Sequence, residues 1–354
     1  MNSRANKASL ASPAQPVSAA KGKRRSSANG HKAKPTRGKE DAIVVGVDIG
    51  GSNLRLALAD THGTVLGKWR TSTKATSSPE MVVAQIEQGV EYLLKHHSAS
   101  RRLLSAIGAG VPGVTDPRAG VVLATSFLKG WRDVRFQHLL ESAFGVPAAI
   151  ENDVRLAALG EHWMGVARGL DDFVFLAVGT GIAAGIFANG KLIVGSNSTA
   201  GEVGYMYVPG TFEEPAEQGA PGSLESSLGG EGIRQQWLNQ CGANESSRKL
   251  TATEIFEFAR TGHPLAKNIL DRSARLLAYT VYNISLVLNS SLFVLGGGVG
   301  VSNHLRDAAH LVLQQYDTPS CPRLVTSSLG TDAQLMGAIR LALIAAKSRT
   351  KLTT

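Results

Sequence analysis

Cysteine is scarce: Cys241 and Cys321 are the only two in 354 residues. They allow no disulfide framework, and no C-x-x-C pair is present to hold a metal or a redox centre. No apolar run approaches the roughly 18 uninterrupted residues that a membrane span needs, so no membrane partner is expected. The apolar segment of a secretory leader is missing too, and a reducing, cytoplasmic setting is the natural expectation. Acidic residues are absent from the first 39 positions, which carry ten Lys and Arg. From residue 40 onward 27 basic residues face 28 acidic ones, so the net charge of +9 belongs to that segment. Its Ala, Ser, Lys and Pro offer little to bury. Residues 1–42 therefore read as a disordered, solubilising tail, with an arm for nucleic acid or another anionic surface as the less favoured reading.

From residue 43 the pattern changes. "AIVVGVDIG" reads as a buried strand, "LRLALAD" as a second, "THG" as a hairpin turn and "TVLGKWRTST" as a third strand. "SPEMVVAQIEQGVEYLLKHH" reads as a helix with Ser78 as N-cap and Pro79 in its first position. A strand over "LLSAIGAGVPG", a helix over "FQHLLESAFG" stopped by Gly145, and a short strand "PAAIEND" running into the helix "VRLAALGEHWMG" follow. The opening pattern then recurs in "DDFVFLAVGTGIAAGIFANGKLIVGS", residues 171–196, with the same order of parts at nearly the same spacing. Two copies of one unit imply an internal duplication and two similar domains. A helical pattern fills much of 251–290, "SLFVLGGGVG" reads as a final buried strand, and 332–347 as a last helix.

In each copy a Gly-rich turn joins two antiparallel strands. Glycine lets backbone N–H groups approach a ligand closely and point the same way. Ser52 and Asn53 in one turn, and Thr180 in the other, add side-chain donors. Two such turns across a cleft would grip a phosphate chain from both sides, and Asp48 would hold the magnesium that accompanies it. A Gly-rich hairpin by itself is more often plain turn chemistry; the duplication and the acid at the strand end favour function. A strand-end "END" opening a helix puts the carboxylate of Asp153 at a cleft edge, where it serves as a base, as a helix N-cap, or as both. Glu202 and Glu225 have bland alternatives, a solvated loop acid and a first-turn acid favoured by the helix dipole.

The run of motifs "DIGGSNLR", "GAGVPG", "GWRDV", "ENDVRLAALGE", "GTGIAAGI", "AGEVG", "GSLE" and "LGGGV" resembles the actin-like ATPase and sugar-kinase superfamily and, within it, the ROK family of repressors, uncharacterised frames and kinases. The resemblance covers about residues 43–347. It implies an α/β fold of duplicated actin-like ATPase (ribonuclease H-like) domains with a cleft between them. Residues 43–153, completed by the helix 332–347, would form one, and 154–331 the other. The implied activity is an ATP-dependent hexose kinase, glucokinase-like, acting on the sugar 6-hydroxyl with Mg2+. By the resemblance Asp153 is the general base, and Asn152, Glu202, Glu225 and the residue at 205 bind the sugar. Asp48, Gly50, Gly51, Ser52, Asn53 and Arg55 form the first phosphate loop, with Asp48 toward Mg2+. Gly179, Thr180 and Gly181 form the second loop, and Gly296 and Gly297 line the nucleoside. A homodimer is expected.

The departures carry weight. Family kinases hold a structural zinc with one His and three Cys. Here those positions are Tyr205, Ala216, Gln218 and Ser223, so no zinc is expected and the sugar is left open. Arg155 stands where the family usually has Asn, Phe127 where it has a polar residue, and Ala183 where it has a loop glycine. Two alternatives follow: a non-catalytic sugar-binding protein, and a hexose kinase that uses polyphosphate. DNA binding is not expected, because the stretch before the first strand carries no helical periodicity.

Overall fold

A computed structural model describes residues 42–73, 78–211, 220–241, 250–316 and 321–350. The basic tail, and the disorder expected of it, lies outside these residues but for residue 42. Among the described residues two five-stranded sheets share one plan. The first has the order β3-β2-β1-β4-β8, from Val65–Ser72, Asn53–Asp60, Ile43–Ile49, Leu104–Val111 and Ala148–Asn152. The second has the order β11-β10-β9-β12-β13, from Lys191–Leu192, Ile182–Ala188, Phe173–Val178, Leu292–Gly296 and Arg323–Thr326. In both, the first three strands form an antiparallel meander and the last two run parallel to the first. The duplication read from the sequence is thus a duplication of topology. The strand over 292–296 is not the last, because β13 pairs parallel to it.

Strand alternation explains why each sheet is covered twice. Val45, Val47 and Ile49 point to a core shared with α1 (Pro79–His96) and α2 (Phe136–Phe144). Val44 points the other way, to Leu335, Ile339 and Leu343 of α10 (Ala333–Thr350). In β9, Phe173 and Phe175 meet Ala157 and Ala158 of α3 (Asp153–Met164). Val174, Leu176 and Val178 meet a larger core that includes α4 (Ser223–Leu228), α5 (Gly230–Gln240), α6 (Ala252–Arg260), α7 (Pro264–Leu288) and α9 (Asn303–Leu313). Successive residues facing opposite sides of a strand produce these paired cores. A short α8 (Gly297–Gly300) follows β12.

α3 leaves the first sheet and packs on the second; α10 leaves the second and packs on the first. Where they cross, a Cβ on Gly337 would lie 1.9 Å from Leu156 O, so only glycine permits this approach. The expected caps are in place: Ser78 accepts from Met81 N at 3.3 Å, and Gly145 closes α2 at φ +70°. A small sheet of β5 (Val114–Asp116), β6 (Val121–Ala124) and β7 (Arg132–Val134) lies between β4 and α2 in the chain and has no counterpart in the sequence reading.

Candidate active site

The β1–β2 turn is closed by Gly50 N donating to Asn53 O at 2.8 Å. Antiparallel register puts Asp48 opposite Arg55 and Arg55 opposite Arg70. Arg55 donates through Nε at 2.7 Å and Nη2 at 2.6 Å, both to Asp48 Oδ2, and through Nη1 to Thr331 O at 2.5 Å. Asp48 Oδ1 has no donor among the described residues. Burial pushes the Asp48 carboxyl above the usual carboxylate range, against the pull of Arg55. A carboxylate with one oxygen engaged by Arg55 and the other without a donor among the described residues suits a magnesium ion that also binds phosphate. Gly50, Gly51, Ser52 and Asn53 line a cavity of about 960 Å³ with Arg55, Arg70, Gly297, Gly298, Ser327 and Thr331.

The second turn is closed by Gly179 N donating to Gly181 O at 2.9 Å, and Gly230 N donates to Gly179 O at 2.8 Å. Gly297 packs directly beneath it. At φ +79° its Cβ would lie 2.4 Å from Val178 O, which excludes other residues on both counts. Gly296 lies behind, against the ring of Phe175. Gly179 and Thr180 line a second cavity of about 470 Å³ with Gly298, Val299, Thr253 and Arg234. Gly298 belongs to both cavities, so the two turns border adjoining spaces on either side of the 296–298 segment.

The structure puts the N-cap of α3 on Asn152, with Asp153 as the first helical residue. Asn152 Oδ1 accepts from Val154 N and Arg155 N, each at 3.0 Å. Its Nδ2 donates to Gly113 O at 3.0 Å and to Asp153 Oδ1 at 3.1 Å. The polar capacity of this amide is therefore spent within the protein. Asp153 is half-buried. Burial first, then the negative charge of Asp48, then that of Glu202, raise its pKa to about 7. Burial also raises Glu202, with Glu225 adding to the shift and Arg155 opposing it. The acids thus form a series in which Asp153 feels Asp48 and Glu202, and Glu202 feels Glu225.

Glu225 Oε2 accepts from Ile182 N at 2.8 Å, which ties the first turn of α4 to the second Gly-rich turn. Tyr205 is 57% exposed and lines a cavity with Glu225, Thr180 and Gly181. Ser223 opens α4, while Ala216 and Gln218 lie outside the described residues. Arg155 is 3% exposed and saturates a buried cluster. Its Nε meets Glu151 Oε1 at 2.6 Å, Nη1 Ser198 O at 2.9 Å and Nη2 Thr115 O at 2.7 Å. Sequence reading did not single out Arg70, Ser327 or Thr331, which reach the first cavity only through strand register and packing.

The chain matches the ROK family over residues 44–345. A glucokinase from Halalkalibacterium halodurans is 28% identical over 312 residues, 84% of this chain and 94% of that protein. A beta-glucoside kinase from Listeria innocua is 28% identical over 260 residues, 72% of this chain and 82% of its own. A xylose repressor from Caldicellulosiruptor bescii is 25% identical over 269 residues, 73% and 66% respectively. Among solved structures, a ROK family glucokinase from Streptomyces griseus in complex with glucose and AMPPNP superposes with a TM-score of 0.70 at 26% identity, covering 85% of this chain and 99% of that one. By sequence and by fold, this chain belongs to the ROK family.

Proposed function

We propose that the protein is a hexose kinase that transfers the γ-phosphoryl group of ATP to the 6-hydroxyl of a glucose-like sugar, with Asp153 as general base. The observation that carries this reading is the placement of Asp153. A half-buried carboxylate at a helix start, beside Asp48 and Glu202, is raised to about 7, where a base is half available at neutral pH. The kinase relatives and the AMPPNP complex support the choice of ATP.

In this reading the sugar O6 attacks the γ-phosphorus, the P–O bond to the β-phosphate breaks, and the O6 proton passes to an Asp153 oxygen. Asn152 holds that carboxylate by donating to Oδ1. Glu202 and Glu225 orient the sugar hydroxyls. The two Gly-rich turns hold the phosphates from adjoining cavities, and Gly298, Val299 and Thr253 wall the nucleoside. Asp48, with Oδ1 free, would hold Mg2+, which when bound neutralises phosphate charge and aligns the transfer.

A coupled assay over hexoses and N-acetylhexosamines, with ATP and with polyphosphate, tests the reading. Polyphosphate belongs in the panel because Arg55 and Arg70 lie in register on the wall of one cavity. ADP formation with glucose, abolished 10²–10⁴-fold by Asp153→Asn, is the expected result. A wild-type protein that binds sugar and phosphorylates none of the panel would establish the non-catalytic reading, which Tyr205 in place of the usual histidine favours.

A further inference from the structure

The loop that leads from β11 to Glu202, residues 193–201, is gripped at two points by arginines from outside it. Arg118, in the turn between β5 and β6, donates through Nη2 to Gly195 O at 2.7 Å. Arg155, in the first turn of α3, donates through Nη1 to Ser198 O at 2.9 Å. The ends of the loop are fastened to β10: Ile193 N donates to Ile186 O at 2.8 Å, and Gly201 O accepts from Ala184 N at 2.7 Å. Its tip has no strand beside it, and among the described residues no other side chain donates to a carbonyl of 195–199. Ser198 is buried and stands at φ +61°, in the left-handed region that serine seldom adopts. Such a conformation persists only where its surroundings over-determine it, and the Arg155 bond to its carbonyl is one such constraint.

Both arginines tie this loop to the small sheet. Arg118 is part of that sheet's first turn, and Arg155 Nη2 donates to Thr115 O of β5 at 2.7 Å. Arg155 Nε is anchored on Glu151 Oε1 at 2.6 Å, an oxygen that also accepts from Asn152 N at 2.7 Å. One buried guanidinium thus joins β8, β5 and the loop, two residues after Asp153. Asparagine, the usual family residue here, has one amide on a short stem and cannot span three segments; the forked donors of arginine can. The loop runs directly into Glu202, whose N–H donates back to Thr199 O at 3.3 Å. The charges that face Glu202 are Arg155, which favours its ionised form, and Glu225 and Asp153, which oppose it.

Resting on the hexose-kinase reading, we infer that Arg118 and Arg155 are positioning residues for the sugar: they strap the 193–201 loop to the small sheet and so set Glu202 in place before the sugar arrives. Both act through the loop. A group fixed in advance spares the ligand the cost of ordering it. An arginine that only stabilised the fold would lower the melting temperature and leave KM for the sugar alone. A strap on Glu202 raises KM for the sugar and spares KM for ATP, because no residue of 193–202 lines either cavity at the Gly-rich turns.

The test measures KM for ATP and for glucose, or for the panel sugar turned over best, in Arg118→Ala, in Arg155→Lys and in the double variant Glu151→Gln with Arg155→Gln. The double variant removes a buried pair together, so no lone charge is left inside. Arg118 is exposed, so Arg118→Ala tests the strap even where the Arg155 variants fail to fold. KM for the sugar should rise about fivefold in Arg118→Ala, on the order of one hydrogen bond, and further in the Arg155 variants, with KM for ATP near wild type. Arg155→Lys keeps the charge beside Glu202, so the pH dependence of the sugar KM stays in place. The double variant loses that charge, Glu202 takes up its proton more readily, and the rise of KM on acidification should begin at a higher pH. A sugar KM that Arg118→Ala does not move, or equal rises in the two KM values, overturns the strap and leaves the kinase reading standing. A pH dependence that the double variant does not move overturns the part given to Arg155. If nothing is phosphorylated, the kinase reading fails, and calorimetric titration with glucose decides the strap alone. Weaker binding in Arg118→Ala supports it, equal binding refutes it, and a wild type that binds no sugar of the panel refutes both.

Discussion

Asn152 Nδ2 donates to Asp153 Oδ1 at 3.1 Å, joining the N-cap of α3 to the residue that follows it. The same amide caps the helix and steadies the proposed base, so the two roles separate by substitution. Asn152→Ala removes both and should cost about 1 kcal/mol of stability with a fall in kcat. Asn152→Asp keeps an equally good cap, but replaces the donor with a second negative charge. Its melting temperature should fall, because a carboxylate oxygen then faces Gly113 O and Asp153 Oδ1 where the amide donated, and the acid limb of the pH–rate profile moves upward. An unmoved profile would show that Asn152 does not act through Asp153.

Asp153 itself titrates at about 7 because burial and Asp48 disfavour its charge. The base must be ionised, so kcat/KM should rise with pH through about 7 and level above it. The same shift has a stability consequence of known sign. Between the unfolded value near 4 and 7 the folded state binds the extra proton, so the wild type loses stability as pH rises across that window. Asp153→Asn cannot ionise. It should be inactive yet more stable, with a melting-temperature gain near zero at pH 3 and largest at pH 8. A gain independent of pH would contradict the raised pKa.

Asp48 raises Asp153 by its charge. Asp48→Asn should therefore move the acid limb of the profile below that of wild type, while also weakening the response to Mg2+ titration. Arg55 keeps its hydrogen bond to Thr331 O. A magnesium requirement identical to wild type would remove Asp48 from the metal role.

Much of the fold was legible because it is local. The apolar runs of β1 and β9, the cap at Ser78 and the stop at Gly145 each lie within a few residues of chain. β5, at three residues, and β13, at four, are too short to show a period, and β13 exists only by pairing with β12. The site divides in the same way. Asp48, Asn152 and Asp153 sit in contiguous motifs. Arg70 does not: the hairpin register that puts it opposite Arg55 includes a shift between Leu58 and Ala59, which counting from the turn misses. Asn152 stands out in its motif but not as the cap, because Asn and Asp are equally good there and only backbone angles choose.

Glu161 closes "ENDVRLAALGE" at the far end of α3 and is fully buried. Its Oε1 accepts from Ser327 Oγ at 2.5 Å and Leu329 N at 3.1 Å, and its Oε2 from Val166 N at 2.9 Å and Ser328 Oγ at 3.3 Å. Four donors converge on one carboxylate, and three of them come from the 327–329 segment. That segment borders the cavity at the first Gly-rich turn through Ser327, just ahead of Gly330 and Thr331. Glu161 thus fixes one wall of the proposed donor space to the helix that begins at Asp153. Glu161→Gln turns one acceptor into a donor facing donors, and a buried group so mismatched costs about 1–3 kcal/mol. The loosened wall should raise KM for the phosphate donor several-fold and leave KM for the sugar near wild type, because Glu202 and Glu225 are untouched. Chemical denaturation and separate saturation curves for donor and sugar measure both effects. Equal rises in the two KM values would mean that Glu161 supports the whole cleft rather than the donor wall.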